Sequence, residues 1–526
     1  MSPPLPVDDA AVTGSRDPSG RSVSRGGVAD DVELARLHVG VQRLTTLYEA
    51  LLGRNPSGAE IRAGRSAIDG RLGMLLKMIS VGLSREARRR PGWLSRLVRC
   101  ADASQGAPPI MRRWLTRPII GVLDRFEHER GERPAAPSVA DVSAVTAHAP
   151  PHATPPNGLT IVGYLSGNFG IGEAARSLAR SCIDVGVPVE GVDVCFQRLG
   201  RSADDTLTLP TSSGSPAVEL FYMNAEETIP TRAVLGMAGR KRAPYTIGFW
   251  HWEQPRIPER HHAAFAELNE VWVPSTFVQD AVAPVSPVPV FKVPHAVRFT
   301  PSPEASRASF GLDPDRRLVL VMFDFQSYQY RKNPQAAIAA FRLAARKANS
   351  LGLVVKTHYG ETEPDARAEL HECLRDLPHV TCIDESLSRQ RMWDLQSCCD
   401  ILLSLHRAEG FGLCPAEMMY LGKPVVATGW SANMDFMDAD NSMPVRYRLV
   451  PLAKTVGPYD AGPLWAEADV EHAAWCLCRL AEDPALAERI GARARVTIRE
   501  KLDPLVVGRQ VAERLETIRR WHGRDA

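Results

Sequence analysis

Two glutamates eight residues apart, Glu409 and Glu417, bracket the string "EGFGLCPAE". Between them Gly410 and Gly412 let a ligand approach the main chain closely, and Pro415 suits the first turn of a helix. "DILLSL" just upstream reads as a buried strand ending near Leu405. Gly422 suits a helix end, so the spacing predicts a helix over about 415–421, with the next strand starting at Lys423 or Pro424. The loop Gly410, Phe411, Gly412, Leu413 then delivers backbone N–H groups to a helix N-terminus, which is an anion site. Glu409 on one side can accept hydrogen bonds from sugar hydroxyls, and Glu417 on the other from a ribose diol. A nucleotide sugar, with diphosphate between two polyols, has that layout. Taken singly, Glu417 reads equally well as a charge favoured near a helix start, and Glu409 as a solvated loop residue. Only the full string distinguishes a site from a turn.

Three other stretches carry candidate chemistry. In "FDFQSYQYRKNPQAAIAAF", Arg331 and Lys332 follow the strand-like "RLVLVMF", and Pro334 stands where a helix begins. Alone, such an Arg-Lys-Asn turn is most often solvated. Asp324 and Ser327 belong to the same stretch and are placed along the same cleft. In "GYLSGNFGIGEAARSLARS", Gly167, Gly170 and Gly172 link a strand to a helix without the G-x-G-x-x-G spacing, which weakens a dehydrogenase reading. Arg176 there either meets an anion or serves the surface, and Glu173 shares its turn. In "YTIGFWHWEQ", His251 and Glu253 follow an apolar strand. His251 either faces the acceptor and reacting centre or packs as a hydrogen-bonded residue between Trp250 and Trp252. Asn224 ends the earlier strand "FYMN". Lys356 and His358 end "VVKTH" and are weaker candidates for the nucleotide side, while His261 and His262 read as a solvated helix face.

These side chains need a scaffold, and the chain supplies two series of short apolar runs. The first is "LTIVGYL", "VPVEGVDV", "AVELFYM", "YTIGFW", "EVWVPS" and "VFKVP"; the second is "RLVLVMFD", "GLVVKTH", "HVTCID", "DILLSL" and "KPVVATG". Buried strands alternating with helical segments imply two successive parallel-sheet α/β domains, divided near 296–312. Ahead of them, 1–30 is too polar and Pro/Gly/Ser-rich to pack, 31–133 is amphipathic helix, and 134–157 is a Pro/Ala linker. The last segment, 503–526, is helical.

Of 526 residues, 44% are hydrophobic and 24% charged, with a net charge of +2, so no global field favours nucleic acid. Neither an 18-residue apolar run nor a signal-peptide core occurs, and the ten cysteines lack disulfide or zinc spacing. The expectation is a cytoplasmic protein with reduced, mostly buried thiols.

The string "EGFGLCPAEMMYLGKPVVATG" resembles the paired-glutamate signature of the retaining glycosyltransferases of family four, which have the GT-B fold of two Rossmann-like domains facing a central cleft. The resemblance implies an acceptor domain over 158–300 and a donor domain over 301–502. It implies that Glu409 holds the transferred sugar and Glu417 the nucleotide ribose. Arg331 and Lys332 match a basic pair that meets the donor diphosphate. A fixed cation there would stabilise charge growing on the leaving group, with a gross attraction of about 4 kcal/mol at 4 Å and an effective dielectric of 20, before desolvation. The glycine loop around Gly170 and Gly172 resembles the family's N-domain loop, where amides approach diphosphate or acceptor, and "EVWVPS" a strand end near its cleft. The 47–88 region resembles a small helical domain found beside bacterial glycosyltransferases.

The resemblance implies a hexosyltransferase using a nucleoside-diphosphate sugar, with a glycan or lipid-linked acceptor, in cell-surface polysaccharide synthesis. No Asp-x-Asp motif stands at a strand end, so no metal and no further cofactor are expected. The glutamates are not a glycosidase pair, which would flank one bond at about 5–5.5 Å. Basic stretches such as "SREARRRPGWLSRLVR" either touch the inner membrane face or are solvated helix sides. The competing readings are a non-catalytic sugar- or nucleotide-binding protein on the same scaffold, and a scaffold whose helical N-terminal region carries the function.

Overall fold

The computed structural model describes residues 158–522, apart from 195–203, 205, 211–216 and 238. The expected tail, helical domain and linker over 1–157 lie outside the described residues.

The first series of apolar runs forms β1 (Leu159–Gly163), β2 (Val189–Asp193), β3 (Val218–Tyr222), β4 (Tyr245–Phe249), β5 (Glu270–Val273) and β6 (Val290–Lys292). They pair in parallel in the order β2-β1-β3-β4-β5-β6. Every residue of β1, β3, β4 and β5 is buried, as a parallel sheet covered on both faces requires. The second sheet is β7 (Arg317–Met322), β8 (Leu351–Thr357), β9 (Val380–Asp384), β10 (Ile401–Ser404), β11 (Val425–Thr428) and β12 (Met443–Val445), in the order β12-β11-β10-β7-β8-β9. Each sheet reverses direction once, between β1 and β3 and between β7 and β10. Crevices for ligands open at such switch points, beyond the carboxyl ends of the strands.

An antiparallel ribbon, β13 (Tyr447–Pro451) with β14 (Leu464–Ala468), was not expected from the sequence. Its connection reaches the first lobe, where Leu452, Tyr459 and Trp465 share one core cluster with Trp250, Trp252 and Ile257. Trp465 Nε1 donates to the Glu253 carbonyl at 3.0 Å and Gln254 Nε2 to the Asp460 carbonyl at 2.9 Å.

The terminal helix Pro504–His522 crosses back to the first lobe and lies against the helix Gly170–Asp184. Val507, Val511 and Leu515 join Ala174, Ala175 and Leu178 in that lobe's core. Close approach is possible because Gly508 sits over the Ser181 carbonyl with no room for a Cβ.

Two expectations are corrected. His261 is not on a solvated face: it is 2% exposed in the 3₁₀ segment Glu259–Glu267, edge-on to Trp252 at 5.6 Å, and burial lowers its pKa to about 4. Among the described cysteines, four are buried and four half-buried, so burial is less general than composition implied. No described helix is long and apolar enough to cross a membrane.

Candidate active site

The two switch points face each other across a cavity of about 380 Å³, within the size range of small-molecule sites. From the second lobe, β7 leads to Arg331 and Lys332, and β10 leads to Glu409. Lys332 Nζ lies 2.5 Å from Glu409 Oε1, and Arg331 Nη1 lies 3.2 Å from Glu409 Oε2. The two cations differ in setting. The Arg331 side chain is 6% exposed, donates to the Ala408 carbonyl at 2.8 Å and lies 3.8 Å from Glu253, whereas Lys332 is 22% exposed. Arg331 therefore anchors the carboxylates from behind, and Lys332 is the cation offered to the cleft. Burial by itself would raise the Glu409 pKa, but Lys332, then Arg331 and His406, outweigh it and hold it down at about 2. Glu409 is ionised at any pH the protein meets.

The loop after Glu409 behaves as its glycines require. Gly412 takes φ +94°, and the helix starts at once, Leu413–Tyr420 rather than 415–421. Pro415 falls at its third position, where its missing N–H belongs to the unbonded first turn. Among the described residues, the N–H groups of Gly410, Phe411, Gly412 and Leu413 have no hydrogen-bond acceptor. Ser275 Oγ, after β5, donates to the Gly410 carbonyl at 2.8 Å and fixes the loop to the first lobe. Gly410 itself leaves only 3.3 Å between an added Cβ and the Trp252 carbonyl.

Glu417 lies in the second helical turn, not the first, and is 2% exposed. Both its oxygens are engaged: Arg389 Nη2 donates to Oε1, and Gln396 Nε2 to Oε2 at 2.9 Å. Arg389 also places Nε 3.8 Å from Glu173 in the opposite lobe. Sequence reasoning missed Arg389, which stands at the start of the helix Arg389–Cys398 in a polar stretch without apolar period.

Asp324, Ser327, Lys356 and His358 line the cavity with these groups, as do Gly170, Asn224, His251 and Glu253 from the first lobe. Burial lowers the Lys356 pKa to about 8. Two first-lobe residues are occupied within their own lobe. Gly172 does not reach the cleft; an added Cβ would strike the Gly167 and Tyr164 carbonyls, so its bareness serves its own turn. Arg176 does not serve the surface: fully buried beside the cavity, it donates to the Leu165 and Gly167 carbonyls at 3.0 and 2.9 Å and pairs with the carboxylates of its own lobe, Glu173 and Asp204. Glu253 accepts from Tyr459 at 3.0 Å, and Asn224 Oδ1 from the His251 N–H at 3.3 Å. His295, just after β6, was also missed; its only signal was a histidine at a strand's carboxyl end, in "KVPHAV". Among the described residues, no group of three or more His, Cys, Asp or Glu side chains is placed to hold a metal ion.

Residues 303–440 match the family model "Glycosyl transferases group 1", a span that takes in β7 to β11. No curated protein matches the chain. Among solved structures, Anabaena Alr3699/HepE in complex with UDP and glucose shares 14% identity at a TM-score of 0.51, covering 68% of this chain and 99% of that one. Its complex with UDP-glucose aligns at 16% and 0.50, with 68% and 99% covered. A glycosyltransferase from Rickettsia africae aligns at 14% and 0.50, with 69% and 99% covered. The chain has the GT-B fold, and within it residues 303–440 are similar to the glycosyl transferases group 1 family.

Proposed function

We propose that this chain transfers a hexose from a nucleoside-diphosphate sugar to a hydroxyl of a glycan or lipid-linked acceptor, with retained anomeric configuration and without a metal. The observation that carries the reading is the Lys332–Glu409 pair at 2.5 Å beside the partner-free amides of Gly410–Leu413. Support comes also from the glycosyl transferases group 1 match and from UDP and glucose bound by a structural neighbour.

In this reading Glu409 accepts hydrogen bonds from the transferred sugar. Lys332 and the loop amides receive the diphosphate. As the glycosidic C–O bond breaks, its electron pair passes to the diphosphate oxygen, and fixed positive dipoles stabilise the charge where it forms. The acceptor hydroxyl attacks from the same face and gives its proton to the leaving phosphate. Glu417 holds the ribose, with Arg389 yielding or sharing its carboxylate. Asp324 and Ser327 line the donor side; His251, Glu253 and Asn224 line the acceptor side.

A thermal-shift panel of nucleoside diphosphates tests this, since a ligand at a hundred times its Kd adds about 2.7 kcal/mol. The best base is then tried as its sugar conjugates, with product anomer read by NMR. If no nucleoside diphosphate raises the melting temperature, or if Glu409→Gln turns over every donor as the parent does, the reading fails.

A further inference from the structure

The charges behind the cleft continue from the second lobe into the first. Lys332 and Arg331 both meet Glu409, and Arg331 Nη2 lies 3.8 Å from Glu253 Oε1. The row Lys332, Glu409, Arg331, Glu253 alternates in sign, and its last member belongs to the opposite lobe. Glu253 is held from a second side as well, because the Tyr459 hydroxyl donates to its Oε2 at 3.0 Å. Tyr459 is 3% exposed, and burial, then Glu253, raise its pKa well above the ordinary phenol value, so the hydroxyl keeps the hydrogen it donates. Although Glu253 lines the acceptor side of the cavity, both its oxygens are turned to protein groups.

The connection between β13 and β14 fixes this arrangement residue by residue. The Trp252 ring lies 5.6 Å from that of Tyr459, the Glu253 carbonyl accepts from Trp465 Nε1, and buried Gln254 donates to the Asp460 carbonyl. Tyr459 also meets Tyr328 edge-on at 5.4 Å, and Tyr328 caps the short helix Gln329–Lys332 that carries both cations. One ribbon side chain therefore touches Glu253 and the loop of the guanidinium that Glu253 faces. A cation shared by two carboxylates is drawn wholly to neither. Without Glu253, Arg331 is balanced by Glu409 alone and pulls that carboxylate away from the cleft.

We infer that Glu253 is a positioning residue for the donor side: it shares Arg331 with Glu409, which leaves Glu409 oxygens for the sugar, and Tyr459 acts through it. The sugar's presence at Glu409 rests on the proposed glycosyl transfer; the coupling of Glu253 to Arg331 does not.

A double-mutant cycle of Glu253→Gln and Arg331→Met in the full chain, read by urea denaturation at pH 7 with no ligand, tests the pair. Groups that face each other couple, so the change in unfolding constant of the double variant should fall short of the product of the single changes by about threefold or more. Independent losses overturn the inference whether or not the chain transfers sugar. Turnover supplies the second arm, with UDP-glucose as the first donor tried. Glu253→Gln should cut transfer and hydrolysis of the donor in water alike, by about tenfold, the worth of about one hydrogen bond, and leave the acceptor KM unchanged. Tyr459→Phe removes only the hydroxyl; it should give a smaller loss of the same kind, and adding it to Glu253→Gln should cost nothing further. A raised acceptor KM with unchanged hydrolysis would make Glu253 an acceptor contact, and losses that multiply would detach Tyr459 from it; each result overturns the inference. If no donor is turned over, the proposed transfer fails and the denaturation cycle alone decides the coupling.

Discussion

Glu409→Gln is the most informative single change, because one nearly isosteric substitution tests both the electrostatics and the chemistry. The carboxylate is 13% exposed and faces two cations at 2.5 and 3.2 Å. Holding it at about 2 rather than the ordinary 4.5 corresponds to roughly 3 kcal/mol of folded-state preference for the charged form. A depressed pKa places that stabilisation above the ordinary carboxyl range, and it is lost as pH falls from about 4.5 through 2. Urea denaturation of parent and variant should therefore differ by up to about 3 kcal/mol at pH 7, and the gap should narrow as pH falls from 4.5 to 3. A gap independent of pH, or a stabilised variant at pH 7, would show that Lys332 and Arg331 do not hold the carboxylate as described. In turnover, losing a charge-assisted hydrogen bond to the sugar should cost about 1.5–3 kcal/mol, roughly ten- to 150-fold in kcat/KM.

Arg389→Ala should free Glu417, lowering stability by about 3–5 kcal/mol as a buried pair is broken. Its thermal shift with saturating nucleoside diphosphate should exceed that of the parent, since a ribose diol would satisfy the stranded carboxylate; a smaller shift would mean that Arg389 itself grips the ligand. Gly508→Ala should push the terminal helix off the Ser181 carbonyl and cost about 1–3 kcal/mol in urea, and an unchanged midpoint would contradict the close contact. Turnover should persist in excess chelator, with Lys332 and the loop amides supplying the positive field; loss that manganese restores would refute metal independence.

Eleven of the twelve described strands in the two sheets were legible because parallel β-structure buried on both faces writes itself as largely apolar runs, as in "LVLVM" or "ILLSL"; the three-residue β12 was too short to be read. The ribbon β13–β14 escaped because Tyr447, Leu449 and Leu464 stay exposed on it and only Trp465, Ala466 and Ala468 are buried. At the site, Glu409, Gly410, Gly412 and Lys332 could be read since one loop and one turn carry them. Arg389 and His295 could not. Each matters through a partner 28 to 73 positions away, and no local spacing encodes such a meeting. Arg176 shows the converse: a charged side chain in a glycine-loop helix leaves an external anion and a structural role both open, and here its guanidinium is taken up by its own lobe's carbonyls and by Glu173 and Asp204.

The docking of Pro504–His522 on the first lobe also has a consequence for how the chain is made. Val507, Val511, Leu515 and Ile518 complete a core whose other buried members are synthesised more than 200 residues earlier. Domains emerging from a ribosome usually finish in order. Here the lobe that begins first is sealed last, after the whole second lobe has been translated, and until then the apolar side of Gly170–Asp184 waits uncovered. A chain cut short near its end would thus damage the half of the molecule farthest from the break in sequence.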